Sequence, residues 1–215
     1  MDVSTEPGNT VTIDPDGGLY VPPPTVKAGC GITGDGSETD PLTANTQDWP
    51  YVCPIGTNGG GVYCDTGTGE LRTDPPVRQD FFQNAKNDVL ATPITVPAVA
   101  EQTVDTLTFT VTNPDPCRPA NAVFFREVDL DVNLPPNSGA TTGIDGDQMT
   151  YLGNQGSGTV FATHVQANKI TLLALAPGET RTITMRIEAG RGTGGAAIIR
   201  IQATLRAWVF SNPIG

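Results

Sequence analysis

From residue 92 onward the chain alternates apolar and polar side chains, a pattern that suits β-strands with one buried face. In Thr106–Val111, large apolar residues occupy every second position and threonines occupy the others. Glu127–Leu134 alternates in the same way, with acidic residues on its polar face, and Pro135 ends it. Further alternating stretches are Gln148–Leu152, Thr159–Val165, Lys169–Leu175, Ile183–Ile187 and Ile199–Val209. Seven or eight such strands, separated by turn residues, predict an antiparallel β-sandwich.

The first 75 residues read differently, because turn formers dominate them. Of the 25 glycines and 19 prolines in the chain, those in this part break any long regular element. Val11–Ile13 and Leu19–Val21 flank Asp-Gly and Gly-Gly steps, which predicts a hairpin. We therefore expect an all-β protein with an extended assembly arm over residues 1–75, a linker with at most a short helix over 76–91 and the sandwich over 92–215.

Two phrases in the arm resemble those of a known class of proteins. Gly18-Leu19-Tyr20-Val21 is followed by the glycine-rich segment Ala28–Leu42, which we interpret as a chain of tight turns. Both phrases resemble segments of minor tail and tail-fibre proteins of siphoviruses that infect actinobacteria. This resemblance implies a structural virion protein, and a homotrimer is the commonest arrangement in such families.

A second resemblance concerns the sandwich. Thr108–Pro114, Val128–Pro135 and Leu175–Thr184 are similar to three phrases of bacterial immunoglobulin-like modules and occur in the same order. The resemblance implies an immunoglobulin-like sandwich. The Gly/Ser/Thr stretch from Asn137 to Gly158 is longer than such modules carry, so a jelly roll stays open. We expect the sandwich to present loops, such as Asn137–Gly146 and Gly190–Gly195, to a partner.

The net charge of the chain limits its partners. Its formal value is −11, and because nucleic acids and anionic membranes reward Lys and Arg, we expect neither as a ligand. No apolar run approaches the length of a membrane span. Residues 1–6 lack the basic and apolar regions of a secretory signal, so we expect synthesis in the host cytoplasm and use in the virion.

Four cysteines, at positions 30, 53, 64 and 117, allow three complete pairings. Cys53 and Cys64 bracket a glycine-rich stretch that suits a hairpin, and closing this loop would stabilise the fold by about 3 kcal/mol. We therefore favour a Cys53–Cys64 disulfide, with buried free thiols as the alternative. The spacings do not suit zinc, since no C-x-x-C occurs and His164 is the only histidine.

The sequence predicts no catalytic, cofactor-binding or metal-binding residue, and hence no cofactor and no enzyme. No nucleophile motif occurs, His164 is interpreted as an ordinary strand residue, and the acidic turns are interpreted as solvated Asx-turns. Exposed aromatic side chains are the remaining candidates for a binding site. Trp49, Tyr51 and Trp208 could form an interface or stack on a sugar, and Trp208 falls on the polar face of the last strand.

We accordingly expect a structural virion protein of a tailed phage, a minor tail or tail-fibre component that mediates assembly and host attachment by non-covalent binding. Its expected partners are further copies of itself, other virion proteins and a host cell-surface glycan. One alternative is a capsid decoration or head-fibre protein bound to the major capsid lattice. Another is a secreted bacterial carbohydrate-binding or adhesin module.

Overall fold

A computed structural model describes residue 7, residues 10–21 and residues 28–212. It divides the chain into two compact units. The first comprises the described residues up to Pro50 together with Gly59–Asp74, and the second comprises Tyr51–Asn58 and the described residues from Pro75 onward. The predicted arm therefore corresponds largely to the first unit, although residues 1–6, 8–9 and 22–27 lie outside the described part.

Among the described residues, the first unit contains three short antiparallel ribbons. Their strands are β1 (Thr12–Ile13) with β2 (Leu19–Tyr20), β3 (Ile32–Thr33) with β4 (Thr43–Ala44), and β5 (Val62–Cys64) with β6 (Leu71–Thr73). The first ribbon is the predicted hairpin, and the Asp14 carboxylate accepts the Gly18 N–H at 2.7 Å in its turn. Leu71 joins the other two ribbons, since its N–H donates to the Asn45 carbonyl at 2.8 Å.

The second unit begins with one turn of helix, α1 (Ile55–Asn58), and continues into eight strands. These strands are β7 (Gln79–Thr95), β8 (Gln102–Thr112), β9 (Ala120–Leu134), β10 (Ser138–Ile144), β11 (Gln148–Asn154), β12 (Val160–Leu175), β13 (Thr180–Thr193) and β14 (Ala197–Ser211). They form two antiparallel four-stranded sheets with the orders β12-β9-β14-β7 and β11-β10-β13-β8. The prediction of an all-β sandwich is confirmed.

The strand order identifies the sandwich as a jelly roll. Successive strands cross from one sheet to the other at every step except β10 to β11, which gives two interleaved four-stranded sheets from eight strands. An immunoglobulin-like sandwich of constant type would divide seven strands as four and three. The immunoglobulin-like expectation is therefore wrong in topology, and the jelly-roll alternative describes the chain.

One apolar core fills the space between the two sheets. Period-2 alternation supplies it, and the predicted inward residues Ile183, Met185 and Ile187 of β13 are buried. On β14 a bulge between Ile198 and Arg200 shifts the alternation, so Ile198 is buried where the sequence pattern placed Ile199 inward. The remaining large core residues include Val111, Phe124, Leu130, Val132, Ile144, Leu175, Ile201, Leu205 and Val209.

The segment expected to be a linker contains the edge strand β7, which pairs with β14 along most of its length. Its side chains toward β8 are partly polar. The Asn84 amide donates to the Thr108 carbonyl at 2.8 Å, and Lys86 forms an ion pair with Asp105. Because these partners satisfy polar groups at the sheet edge, the strand does not need an unbroken apolar alternation.

The small-residue stretch after Pro136 also differs from the prediction. We expected Asn137–Gly146 to present a loop, and this expectation is wrong. It contains β10, a central strand that pairs with β11 and β13. Gly143 is required there, because a Cβ atom would lie 2.0 Å from the Gln148 carbonyl oxygen. Gly192 in the second predicted loop, residues 190–195, is in close contact with the Val96 backbone for the same reason.

The two disulfides differ from the predicted pairing. Cys30 is joined to Cys64 and Cys53 to Cys117, with Cα atoms 5.8 and 4.9 Å apart respectively. Cys64 lies on β5 in the first unit, whereas Cys53 lies in the short segment that belongs to the second. Nearness in sequence therefore misled the prediction, because the chain passes from one unit to the other between these two cysteines.

Candidate functional site

The outward surface of the β12-β9-β14-β7 sheet is divided into an apolar and an acidic half. We call the apolar half the apolar patch. It consists of Phe81, Val123, Phe125, Ile170, Leu172, Trp208 and Phe210. Among these, Leu172 is 75% exposed, Ile170 64% and Trp208 49%, which is unusual for such side chains on a four-stranded sheet.

Strand register creates the patch. Leu172 on β12 lies opposite Val123 on β9, which lies opposite Trp208 on β14, which lies opposite Phe81 on β7. Since side chains at i and i+2 share a face, the rows on either side of this one add the remaining members. The patch therefore crosses the whole sheet and reaches the outer edge strand β12.

Three aromatic rings form the centre of the patch. The Trp208 ring centroid is 5.7 Å from that of Phe81 and 5.7 Å from that of Phe125, in tilted and edge-on arrangements respectively. Such arrangements are favoured by the ring quadrupoles and fix the orientation of the indole. Trp208 is therefore held in place while half of its surface faces solvent.

The acidic half begins two strand positions away. Glu127, Asp129 and Asp131 follow one another on the outward face of β9, and His164 of β12 lies opposite Asp131. The His164 Nδ1 atom is 3.3 Å from Asp129 Oδ1 and 3.1 Å from Asp131 Oδ1. Between these groups and the patch lies a polar depression, lined by Glu127, Asp129, Gln166, Asn168, Gln202 and Arg206 among others.

Two cations of β14 balance part of this negative charge. Arg200 Nη1 is 3.5 Å from Asp131 Oδ2, and its Nε donates to the Asn87 side chain at 2.9 Å. Arg206 Nη1 is 3.0 Å from Glu127 Oε2. The acidic half is consequently a network of ion pairs. Arg206 lies opposite Phe125, so its guanidinium borders the patch, whose named members are uncharged.

The opposite sheet presents a different outer surface. Threonines occupy most of the exposed positions of β8 and β13, and the others are polar or charged. Two facing pairs, Thr108 with Thr184 and Thr112 with Thr180, have their Oγ1 atoms 3.1 and 2.9 Å apart. Cross-strand pairs of this kind stabilise a solvated sheet. The exposed apolar residues of the first sheet therefore do not follow from the fold alone.

The other predicted aromatics are placed differently from Trp208. Tyr51 is buried in the second unit, which removes it from the exposed candidates. Trp49 belongs to the first unit and is half-buried.

The sequence identified Trp208 through alternation, but neither the patch around it nor the cluster of Asp129, Asp131 and His164 was predicted. Alternation shows which side chains of one strand share a face, but the sequence does not give the register between neighbouring strands.

Comparison with known proteins adds little. No family model matches the chain, and no curated protein matches it. One chain from a solved structure described as "Structure of infectious bursal disease virus Gx strain" aligns with 79% of this chain and 42% of its own length, at 14% identity and a TM-score of 0.23. This chain thus spans less than half of that one. In the described residues, no helix is long and apolar enough to cross a membrane.

Proposed function

We propose that the chain is a non-enzymatic structural protein of a tailed-phage virion, a minor tail or tail-fibre component, and that its jelly roll self-associates through the apolar patch. The observation that supports this proposal is the patch itself. Contiguous apolar surfaces on a soluble domain mark sites of association. The resemblance of the N-terminal phrases to siphovirus tail proteins supports the virion setting, and the jelly roll is a fold used in viral capsid proteins and in lectins.

The partner that best fits the patch is a second copy of the chain. A net charge of −11 disfavours close approach of two copies over most of their surfaces. The patch lacks charged members, and the acidic groups Asp129 and Asp131 lie toward the other end of the same sheet face. Two copies can therefore bring their patches together while their carboxylates remain apart.

The rigid aromatic centre suits such a contact. Tryptophan and tyrosine dominate the binding energy of protein interfaces when they are already ordered and become fully desolvated. Phe81 and Phe125 hold the Trp208 ring before any partner arrives, so little side-chain entropy is lost on association. Paired patches give a dimer, whereas a trimer requires the patch of one copy to pack on a different surface of the next.

Self-association can be measured by light scattering coupled to size-exclusion chromatography. We expect the wild type to elute as an oligomer of the 22.5 kDa chain. Leu172→Glu and Trp208→Ala should each weaken association by at least about 30-fold, the effect of removing a central contact worth about 2 kcal/mol. Val89→Glu is the matched control, because Val89 is equally exposed on the same sheet, opposite Arg200 and outside the patch. A monomeric wild type, or equal effects of Leu172→Glu and Val89→Glu, contradicts the proposed interface.

Immunogold labelling of purified particles tests the virion setting. Gold at the tail tip supports a tail or tail-fibre component. Gold over the head favours the alternative of a capsid decoration or head-fibre protein, which could use the same patch against the capsid lattice. Particles that contain none of the protein rule out a virion role.

A second candidate function, carbohydrate binding, is favoured by the position of the aromatic centre beside the polar depression. Aromatic faces stack on sugar rings, while side chains such as Gln166, Gln202 and Arg206 offer hydrogen bonds. Retention of the wild type on immobilised host cell-wall glycan, and its loss in Trp208→Ala, would support this function. If Trp208→Ala still self-associates but no longer binds the glycan, carbohydrate binding describes the role of Trp208 better than self-association does.

A further inference from the structure

We infer that Asp129, Asp131 and His164 form a binding site for a divalent transition-metal ion, with zinc as the best fit. Among the described residues, this is the group of carboxylate and imidazole side chains whose ligand atoms all lie within 4.8 Å of one another. Asp129 and Asp131 share a face because they are two positions apart on β9, and the register places His164 beside them from β12. The site does not depend on the proposed assembly function.

Hydrogen bonding alone does not satisfy this cluster. Three carboxylate oxygens, two from Asp129 and one from Asp131, lie between 3.1 and 3.4 Å from the single Nδ1 atom of His164. One ring nitrogen carries at most one proton, so it cannot satisfy all three of these acceptors. The Asp131 Oδ1 atom is left buried without a hydrogen-bond partner, in a residue that is 8% exposed.

A buried carboxylate oxygen without a partner is costly, and a bound cation is one way to satisfy it. A divalent cation among the three groups would be coordinated by Nδ1 and by an oxygen from each aspartate, and this includes the unpaired Oδ1. For bonds of about 2.0 Å to nitrogen and oxygen, tetrahedral zinc places its ligand atoms about 3.3 Å apart. The two observed separations between Nδ1 and the carboxylate oxygens, 3.3 and 3.1 Å, are close to this value, and the oxygens of the two aspartates lie within 4.8 Å of each other.

The surroundings would orient the ligands. Asp131 directs its other oxygen, Oδ2, toward Arg200 Nη1 at 3.5 Å, and Arg200 is itself held by Asn87 at 2.9 Å. Carboxylates that ligate metals are typically fixed by a second partner in this way. The imidazole ligand favours zinc, nickel or copper over calcium and magnesium, which prefer oxygen alone. Three protein ligands leave a position for water.

Titration of the full chain with zinc chloride tests the site. His164 is the only histidine, so once any purification tag has been removed its ring nitrogens report binding directly in ¹⁵N NMR spectra. We expect one zinc ion per chain in calorimetry and a large shift of the His164 Nδ1 signal. His164→Gln and Asp129→Asn should each weaken binding at least about tenfold.

Glu127→Gln is the matched control, because it removes an equal charge from the same face of β9, two positions from Asp129. Because Glu127 is not a ligand and its charge is already paired with Arg206 at 3.0 Å, we expect the zinc affinity to fall by no more than about threefold. Asp131→Asn is less informative, since this side chain also balances Arg200. The proposal is overturned if zinc does not move the His164 signal, if His164→Gln binds zinc as the wild type does, or if Glu127→Gln weakens binding as much as Asp129→Asn.

Discussion

Replacement of Cys53 and Cys117 by serine is expected to lower the free energy of unfolding of the jelly-roll unit by about 4 kcal/mol. The disulfide closes a long stretch of chain, since the two cysteines are 64 residues apart. In the chain-entropy account, the disulfide removes conformational entropy from the unfolded chain, and the amount removed rises with the logarithm of this separation. Both cysteines are buried, so the substitution also places two hydroxyls where apolar sulfur packs.

The two tryptophans allow this prediction to be measured for one unit at a time. Trp49 belongs to the first unit and Trp208 to the second, so a Trp49→Phe background assigns the fluorescence change during denaturant unfolding to the jelly roll. The control is Cys30→Ser with Cys64→Ser, which removes the other disulfide. We expect it to leave the Trp208 transition in place. A loss below about 1 kcal/mol in the first variant would mean that contacts such as that of Arg78 with Asn58 hold the segment without the disulfide.

The sequence predicted those strands whose own residues alternate between apolar and polar side chains. The alternation of β8, β13 and most of β14 was visible, because their inward side chains are apolar and their outward ones polar or threonine. The strand β7 was missed, since Asn84 and Lys86 point toward partners on β8 and interrupt the apolar pattern. Small residues in β10 concealed that strand for a different reason, as packing against Gln148 excludes a side chain at Gly143.

The candidate sites were beyond sequence reasoning for a single physical cause. Alternation predicts which residues of a strand share a face, but it does not predict the neighbouring strand or the register. The pairing of Leu172 with Val123, and of His164 with Asp131, joins strands that lie far apart in sequence. The cysteine pairing failed on the same ground, because the correct partners of Cys53 and Cys64 are brought near by the tertiary fold.

Substitution of Asp115 by alanine is expected to destabilise the jelly roll by about 3 to 5 kcal/mol, the usual cost of leaving a buried charge without its partner. Asp115 is fully buried and Arg118 nearly so, and the Arg118 Nε donates to Asp115 Oδ2 at 3.0 Å. The other carboxylate oxygen accepts the backbone N–H groups of Cys117 and Arg118 at 2.9 and 3.1 Å. Alanine would leave these three donors, and the Ser211 hydroxyl, without this acceptor.

The matched control is Asp147→Ala. Asp147 also pairs with a cation, since its Oδ2 atom lies 2.6 Å from Lys169 Nζ, but the Asp147 side chain is exposed. Exposed ion pairs contribute about 0 to 1 kcal/mol, so thermal or denaturant unfolding should show a small change for this variant and a large one for Asp115→Ala. Similar losses in the two variants would contradict the role assigned to burial.

The pH dependence of the difference gives a second test of the Asp115 network. Burial by itself raises the pKa of Asp115, but hydrogen bonds from the Cys117 backbone, from the Ser211 hydroxyl and from Arg118 outweigh it and hold the pKa below its ordinary value of 3.8. A carboxyl whose pKa is lower in the folded state contributes stability above its unfolded pKa and loses it as the pH falls through the folded value. The stability gap between the wild type and Asp115→Ala should therefore be full above about pH 5 and narrow progressively below about pH 4. A gap that stays constant to pH 2, or that widens with acid, would show that the carboxylate charge is not what the network stabilises.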